Sequence, residues 1–150
     1  MIDRYSREEI EKIWDLEQKF SYYLKVEIAV CEAYCKLGII PQASLDEIKK
    51  KASFSLERIA EVEREVKHDV IAFLTSVNES VGADNAKYIH LGLTSSDVID
   101  TAFALQIADS SKIVLKDLEE LISVVKEKAF QYKDTVCIGR SHGVHAEVMT

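Results

Sequence analysis

The stretch SDVIDTAFALQIADSSKIVLKDLEELISVVKEKAFQY, Ser96 to Tyr132, decides the fold. It holds no Gly and no Pro. Val98, Ala102, Leu105, Ala108, Leu115, Leu118, Ile122, Val125, Ala129 and Tyr132 recur along it at spacings of three, four or seven. That period predicts one helix of about 35 residues, roughly 50 Å long at about 1.5 Å per residue. Such a helix cannot bury its apolar stripe inside a chain of 150 residues. It therefore belongs to a larger helical bundle, completed by further sequence, by other subunits, or by both.

Upstream of this stretch the helices are short. After a basic and aromatic lead from Met1 to Tyr5, Ser6 followed by Glu9 resembles a capping box, and Ile10, Ile13, Trp14 and Leu16 supply an apolar face. From Gln18 to Leu37, the residues Phe20, Tyr23, Leu24, Ile28, Cys31, Tyr34, Cys35 and Leu37 keep helical spacing, with Gly38 as the end and Pro41 beyond it as a stop. Ser44 with Glu47 suggests another cap. Ser55 with Arg58 opens a Glu-rich helix, and Asp69 to Val81 carries a stripe through Val70, Phe73, Leu74 and Val77 to the break at Gly82. No segment shows sustained strand alternation. The expectation is an all-α fold: a small N-terminal helical domain over residues 1–93, then residues 94–150 as the first long helix of a central bundle.

Composition narrows the function. With 47% hydrophobic and 30% charged residues, five Gly and one Pro, the chain suits a helical globular protein. A net charge of -7 argues against nucleic-acid or anionic-membrane partners, although a local basic pocket could still hold a phosphate. Cys31, Cys35 and Cys137 form neither a zinc spacing nor a disulfide framework, which points to reduced thiols in the cytosol. No apolar run approaches the roughly 18 residues that cross a bilayer. The expected location is cytoplasmic.

Two polar constellations carry chemistry. Gly139-Arg140-Ser141-His142-Gly143-Val144-His145-Ala146-Glu147 packs two imidazoles, a guanidinium, a hydroxyl and a carboxylate into nine positions. Imidazole moves a proton near neutral pH without a large environmental shift. On a helix, His142 and His145 would share a face, one acting on substrate and the other supporting it. A surface loop with incidental histidines is the plain alternative. A His-x-x-His zinc site is another, though no third ligand stands at a familiar spacing. The second constellation is Gly92-Leu93-Thr94-Ser95-Ser96-Asp97, which brings hydroxyls and unpaired backbone N–H groups to a helix start, where a carboxylate binds readily. An over-supplied N-cap would look the same. Asp97 is either a ligand or a fixed acceptor behind the site, the latter because its charge repels an anionic substrate.

Lys67-His68-Asp69 and Tyr88-Ile89-His90 lie at helix boundaries, so that all four histidines flank helices rather than sit in apolar stripes. Arg4-Tyr5 offers a guanidinium for phosphate and an aromatic face for a base, or is only a loose chain end.

Thr94-Ser95-Ser96-Asp97-Val98 with Asp100-Thr101-Ala102, the block Gly139 to Glu147, Arg4-Tyr5 and His68-Asp69, at these spacings, resemble the adenylosuccinate lyase family of the fumarase/aspartase superfamily. The resemblance covers essentially the whole chain. It implies β-elimination of fumarate from adenylosuccinate to give AMP, and from SAICAR to give AICAR, without a cofactor or metal. By similarity His142 is the general acid and His68 orients substrate or tunes that acid. Thr94 and Ser95 hold the succinyl carboxylates, while Arg4, Tyr5, Lys67, Asp69 and His90 contact the nucleotide or its phosphate. The family's base is a serine beyond residue 150, and its active sites are shared among subunits of a homotetramer. The chain is thus expected to be an N-terminal portion that is inactive alone. Ser141 stands where Thr is common, Val148 where Pro is usual, and Lys67 where an uncharged polar residue or Arg is frequent. Two other readings stand beside this one: a non-catalytic module for oligomerisation and nucleotide binding, and another lyase of the superfamily.

Overall fold

The computed structural model describes residues 2–150, so Met1 of the lead lies outside it. A 3-10 turn (Asp3–Tyr5) precedes α1 (Glu8–Trp14), α2 (Leu16–Lys36), α3 (Gln42–Lys51), α4 (Leu56–Val66), α5 (Asp69–Val81), the single turn α6 (Ala83–Ala86) and α7 (Ser95–Tyr132). A small antiparallel hairpin, β1 (Cys137–Ser141) and β2 (Val144–Met149), follows. The all-α class holds, with this hairpin as its departure. The chain forms two compact units, Met1–Ser110 and Ser111–Thr150, and α7 runs from the first into the second.

The first unit owes its core to α5, which is apolar on most of its circumference. Val70, Ala72, Phe73, Val77 and Val81 are all buried along it. Phe73 stacks on Phe20 with ring centroids 5.5 Å apart and meets Tyr23 edge-on at 5.6 Å, while Phe54 closes the cluster at 6.0 Å. Around these rings pack Ile40, Leu45 and Ile48 from α3 and its approach, Ile59 and Val62 from α4, and Ile89, Val98 and Ala102. Burying each such side chain contributes roughly 1.5–3 kcal/mol. The first turns of α7 are pinned to α1 and α2 by polar contacts. Tyr22 donates to Asp109 at 2.6 Å, Gln106 donates to the Ile13 carbonyl at 2.8 Å, and Trp14 donates to Ser110 at 2.9 Å.

Local chemistry explains most boundaries. Asp15 caps α2 by accepting from the Gln18 N–H at 2.6 Å, and Ser55 caps α4 by accepting from Arg58. Gly38, at φ 75°, ends α2 in the left-handed region as expected. Two expected caps are corrected. Ser6 instead donates to Glu11 at 3.0 Å, because α1 starts one residue later with Arg7 at the cap position. Ser44 lies inside α3, because Pro41, extended at ψ 142°, already starts the helix with its carbonyl accepting from Ser44 and Leu45. Along it, α3 buries Leu45 and Ile48.

The long helix is 38 residues, about 57 Å at about 1.5 Å per residue. Val98, Ala102 and Gln106 are its buried residues, whereas Leu115, Leu118, Leu121, Ile122, Val125 and Phe130 are all exposed. The stripe that the sequence could not bury within 150 residues is left uncovered here. Among the described residues no helix is long and apolar enough to cross a membrane.

Candidate functional site

The turn between α6 and α7 is built from an unusual anchor. Glu27, in the middle of α2, is 0% exposed. Its Oε2 accepts the backbone N–H of His90 at 2.8 Å, and its Oε1 lies 2.6 Å from Nδ1 of the same residue. A buried carboxylate must be hydrogen-bonded or it destabilises the fold by several kcal/mol. Here both oxygens are satisfied by one residue, and the bonds hold His90 at φ 62°, a left-handed conformation rare outside Gly. Gly92 follows at φ 72°, where a Cβ would come within 2.9 Å of the Tyr34 hydroxyl. The chain then enters α7.

At that entry the carboxylate of Asp97 accepts the N–H of Thr94 at 2.8 Å, and the Thr94 carbonyl accepts the N–H of Asp97 at 3.0 Å. This is the backward half of a capping box. It uses Asp97 as a structural acceptor and leaves the hydroxyls of Thr94, Ser95 and Ser96 without a hydrogen bond to any described residue. An N-terminus of a 38-residue helix with spare hydroxyls favours an anion. Beside it a groove of about 740 Å³ runs between α2 and α7, lined by Lys25, Val26, Ala29, Gly92, Asp97 and Thr101 among others.

Lys67, His68 and Asp69 form the joint between α4 and α5. Lys67 ends α4 at φ 54°, with its N–H on the Glu63 carbonyl at 2.9 Å. His68 then caps α5, its Nδ1 accepting the Ile71 N–H at 3.4 Å, and Asp69 Oδ1 stands 3.8 Å from that nitrogen. With Nδ1 as the acceptor, the ring hydrogen of neutral His68 is on Nε2, on a side chain 43% exposed. No hydrogen bond or ion pair among the described residues joins this triplet to the 90–97 turn. Arg4 lies over the ring of its neighbour Tyr5 at 4.8 Å, and both are exposed.

The segment around His142 is the hairpin. Ser141 pairs with Val144, which leaves His142 at φ 52° and Gly143 at φ 78° as a two-residue loop. Two positive φ values give the turn whose twist suits adjoining strands. A bulge after Ile138 lets Arg140 pair with His145, and their side chains meet at 3.5 Å. His142 and His145 therefore stand on a turn and a strand, not on one helix face. Among the described residues no three His, Cys, Asp or Glu side chains gather to hold a metal.

Glu27 is the residue that sequence reasoning missed. The signal was there, since Phe20, Tyr23, Glu27, Cys31 and Tyr34 fall at spacings of three and four, and an acid on an apolar stripe demands a partner. Burial, with the Glu27 charge as the lesser cause, pushes the neighbouring Cys31 thiol up to about 11.

Comparison with known proteins covers the same ground. A family model described as "Lyase" matches residues 3–150. The chain is similar to the adenylosuccinate lyase of Synechocystis sp., at 57% identity over 150 residues, covering 100% of this chain and 35% of that protein. It is 47% identical over 150 residues to the adenylosuccinate lyase of Bacillus subtilis, with the same coverage of 100% and 35%. The chain thus spans about 35% of the length of these curated relatives. Among solved structures it resembles a fumarate lyase from Mesorhizobium sp., with a TM-score of 0.86 and 25% identity over 96% of this chain and 36% of that one. It has the fold of a 3-carboxy-cis,cis-muconate lactonizing enzyme from Pseudomonas putida, with a TM-score of 0.88 at 22% identity over 99% of this chain and 35% of that one.

Proposed function

This chain belongs to the lyase family, and on that premise we propose that it supplies the acid half of an adenylosuccinate lyase active site. What carries the reading is that likeness to two adenylosuccinate lyases runs through all 150 residues, so the Thr94 turn and the His142 tip both fall inside it.

In the proposed reaction a base removes a proton from the succinyl carbon beside a carboxylate. The electron pair left on that carbon forms the double bond of fumarate as the neighbouring carbon–nitrogen bond breaks. His142 gives its proton to the departing nitrogen, yielding AMP from adenylosuccinate or AICAR from SAICAR. Thr94 and Ser95 receive the succinyl carboxylates at the start of α7, where the spare hydroxyls and the helix dipole stabilise the dianionic carbanion. His68 orients substrate or tunes His142, and Arg4, Tyr5, Lys67, Asp69 and His90 contact the nucleotide or its phosphate. The base comes from sequence outside these 150 residues. Residues 1–93 act as a helical domain, and 94–150 begin the central bundle of a cytoplasmic homotetramer whose exposed α7 stripe is covered by its partners.

The test is His142→Gln in the full-length protein. Turnover falls by orders of magnitude while adenylosuccinate binding persists, as expected for a proton donor. Unchanged turnover would remove His142 from the chemistry. The 150-residue chain alone releases no fumarate, and measurable release by it would refute the division of the site.

A further inference from the structure

Glu27 occupies a position where the α2 stripe calls for an apolar side chain, and it is completely buried. A hydrophobic residue there would avoid the cost of desolvating a carboxylate. Anchoring the turn needs only one of its oxygens, the one on the His90 N–H. The other is spent on the His90 ring, 2.6 Å from Nδ1. A carboxylate that uses both oxygens as acceptors, Oε2 for the backbone N–H and Oε1 for the ring, pairs with the tautomer that has its hydrogen on Nδ1. The His90 side chain remains 20% exposed, and Nε2 is the ring nitrogen not held by Glu27.

We infer that Glu27 is a positioning residue: it fixes both the orientation and the tautomer of His90, so that Nε2 is the ring atom offered to the ligand. This rests on the reading above, in which His90 contacts the nucleotide. A neutral ring held this way meets a hydroxyl or amino hydrogen of the ligand as an acceptor. The opposite tautomer would present a donor, suited to a phosphate oxygen instead. Glu27→Gln converts one into the other without changing volume. The amide oxygen takes over the backbone N–H, the amide N–H turns to Nδ1, and the ring hydrogen moves to Nε2.

The experiment uses the full-length protein with ¹⁵N-labelled histidine and magic-angle-spinning NMR. In the parent, His90 carries a hydrogen on Nδ1 and none on Nε2, and a ring with its hydrogen on Nε2 alone, or with hydrogens on both nitrogens, overturns the inference without any variant. In E27Q the hydrogen shifts to Nε2, and KM for adenylosuccinate rises about tenfold while kcat stays within about twofold. An unchanged tautomer and KM in E27Q would refute it. H90A raises KM as well, and E27Q added to H90A does nothing more, since Glu27 acts through the ring; a further loss in the double variant marks Glu27 as merely structural. H90A with an unaltered KM sinks the nucleotide contact at His90, whereas the NMR result judges Glu27 separately.

Discussion

Replacing Gly92 by Ala tests the turn that aims the start of α7. The backbone there sits at φ 72°, which costs an L-residue about 1–2 kcal/mol. The new Cβ would also lie 2.9 Å from the Tyr34 hydroxyl oxygen, well inside van der Waals contact. Tyr34 cannot simply swing away, because its ring packs against the core, and overpacking of this kind costs about 1–3 kcal/mol. Together these give a loss of about 2–5 kcal/mol. Gly38 provides the reference. It has nearly the same φ, 75°, but a Cβ there meets nothing within 4 Å, so G38A carries the backbone cost alone. Tyr34→Phe removes the obstructing oxygen, and the next atom of that ring is 4.0 Å away. Urea unfolding followed by circular dichroism should therefore place G92A about 1–3 kcal/mol below G38A, with Y34F recovering that difference in the double variant. If G92A costs no more than G38A, or if Y34F recovers nothing, the close approach of α2 to this turn is not what requires glycine.

Two further outcomes follow from burial and exposure. The Cys31 thiol is raised from 9.0 to about 11, so the folded chain holds its proton where the unfolded chain has lost it. Its contribution is fully present below about pH 9 and is lost as pH rises to about 11, amounting to about 2–3 kcal/mol. Urea titrations across that range should show a shallower decline for C31A than for the parent, and equal slopes would contradict the assignment. On α7, Ile122 is 66% exposed. I122K should leave the helicity and the unfolding of the first unit unaltered while breaking assembly of the full-length protein in sedimentation; an intact assembly would show that this face is not an interface.

What could be read from the sequence depended on how local each signal was. The start of α7 is legible to within one residue, because Thr94 to Asp97 cap it in sequence and its stripe repeats for ten turns. The end of α2 at Gly38 and the start of α5 after His68 are legible for the same reason. The start of α3 is not, because Ser44 and Glu47 mimic a cap inside a helix that Pro41 has already begun. The hairpin hides behind its own chemistry: a search for imidazoles at helical spacing passes over His142-Gly143 as a turn dipeptide between Ile138 and Val144, both β-branched. Of the candidate site, Thr94, Ser95 and Asp97 are visible as a group because one turn gathers them. The link from Glu27 to His90 spans 63 positions, so the acid on the α2 stripe shows that a partner is needed without showing which.

The joint at Lys67-His68 contains no linker at all. One residue ends α4 and the next begins α5, whose first turn is closed on the His68 ring itself. That imidazole is therefore a spoke of α5 rather than a side chain free to choose a rotamer, and any roll of the helix turns the ring with it. Phe73 lies five residues further along the same rod, locked among three other rings. Aromatic packing deep in the domain thus bears on the orientation of a histidine at its surface, and a core variant of unimpaired stability can still turn that ring.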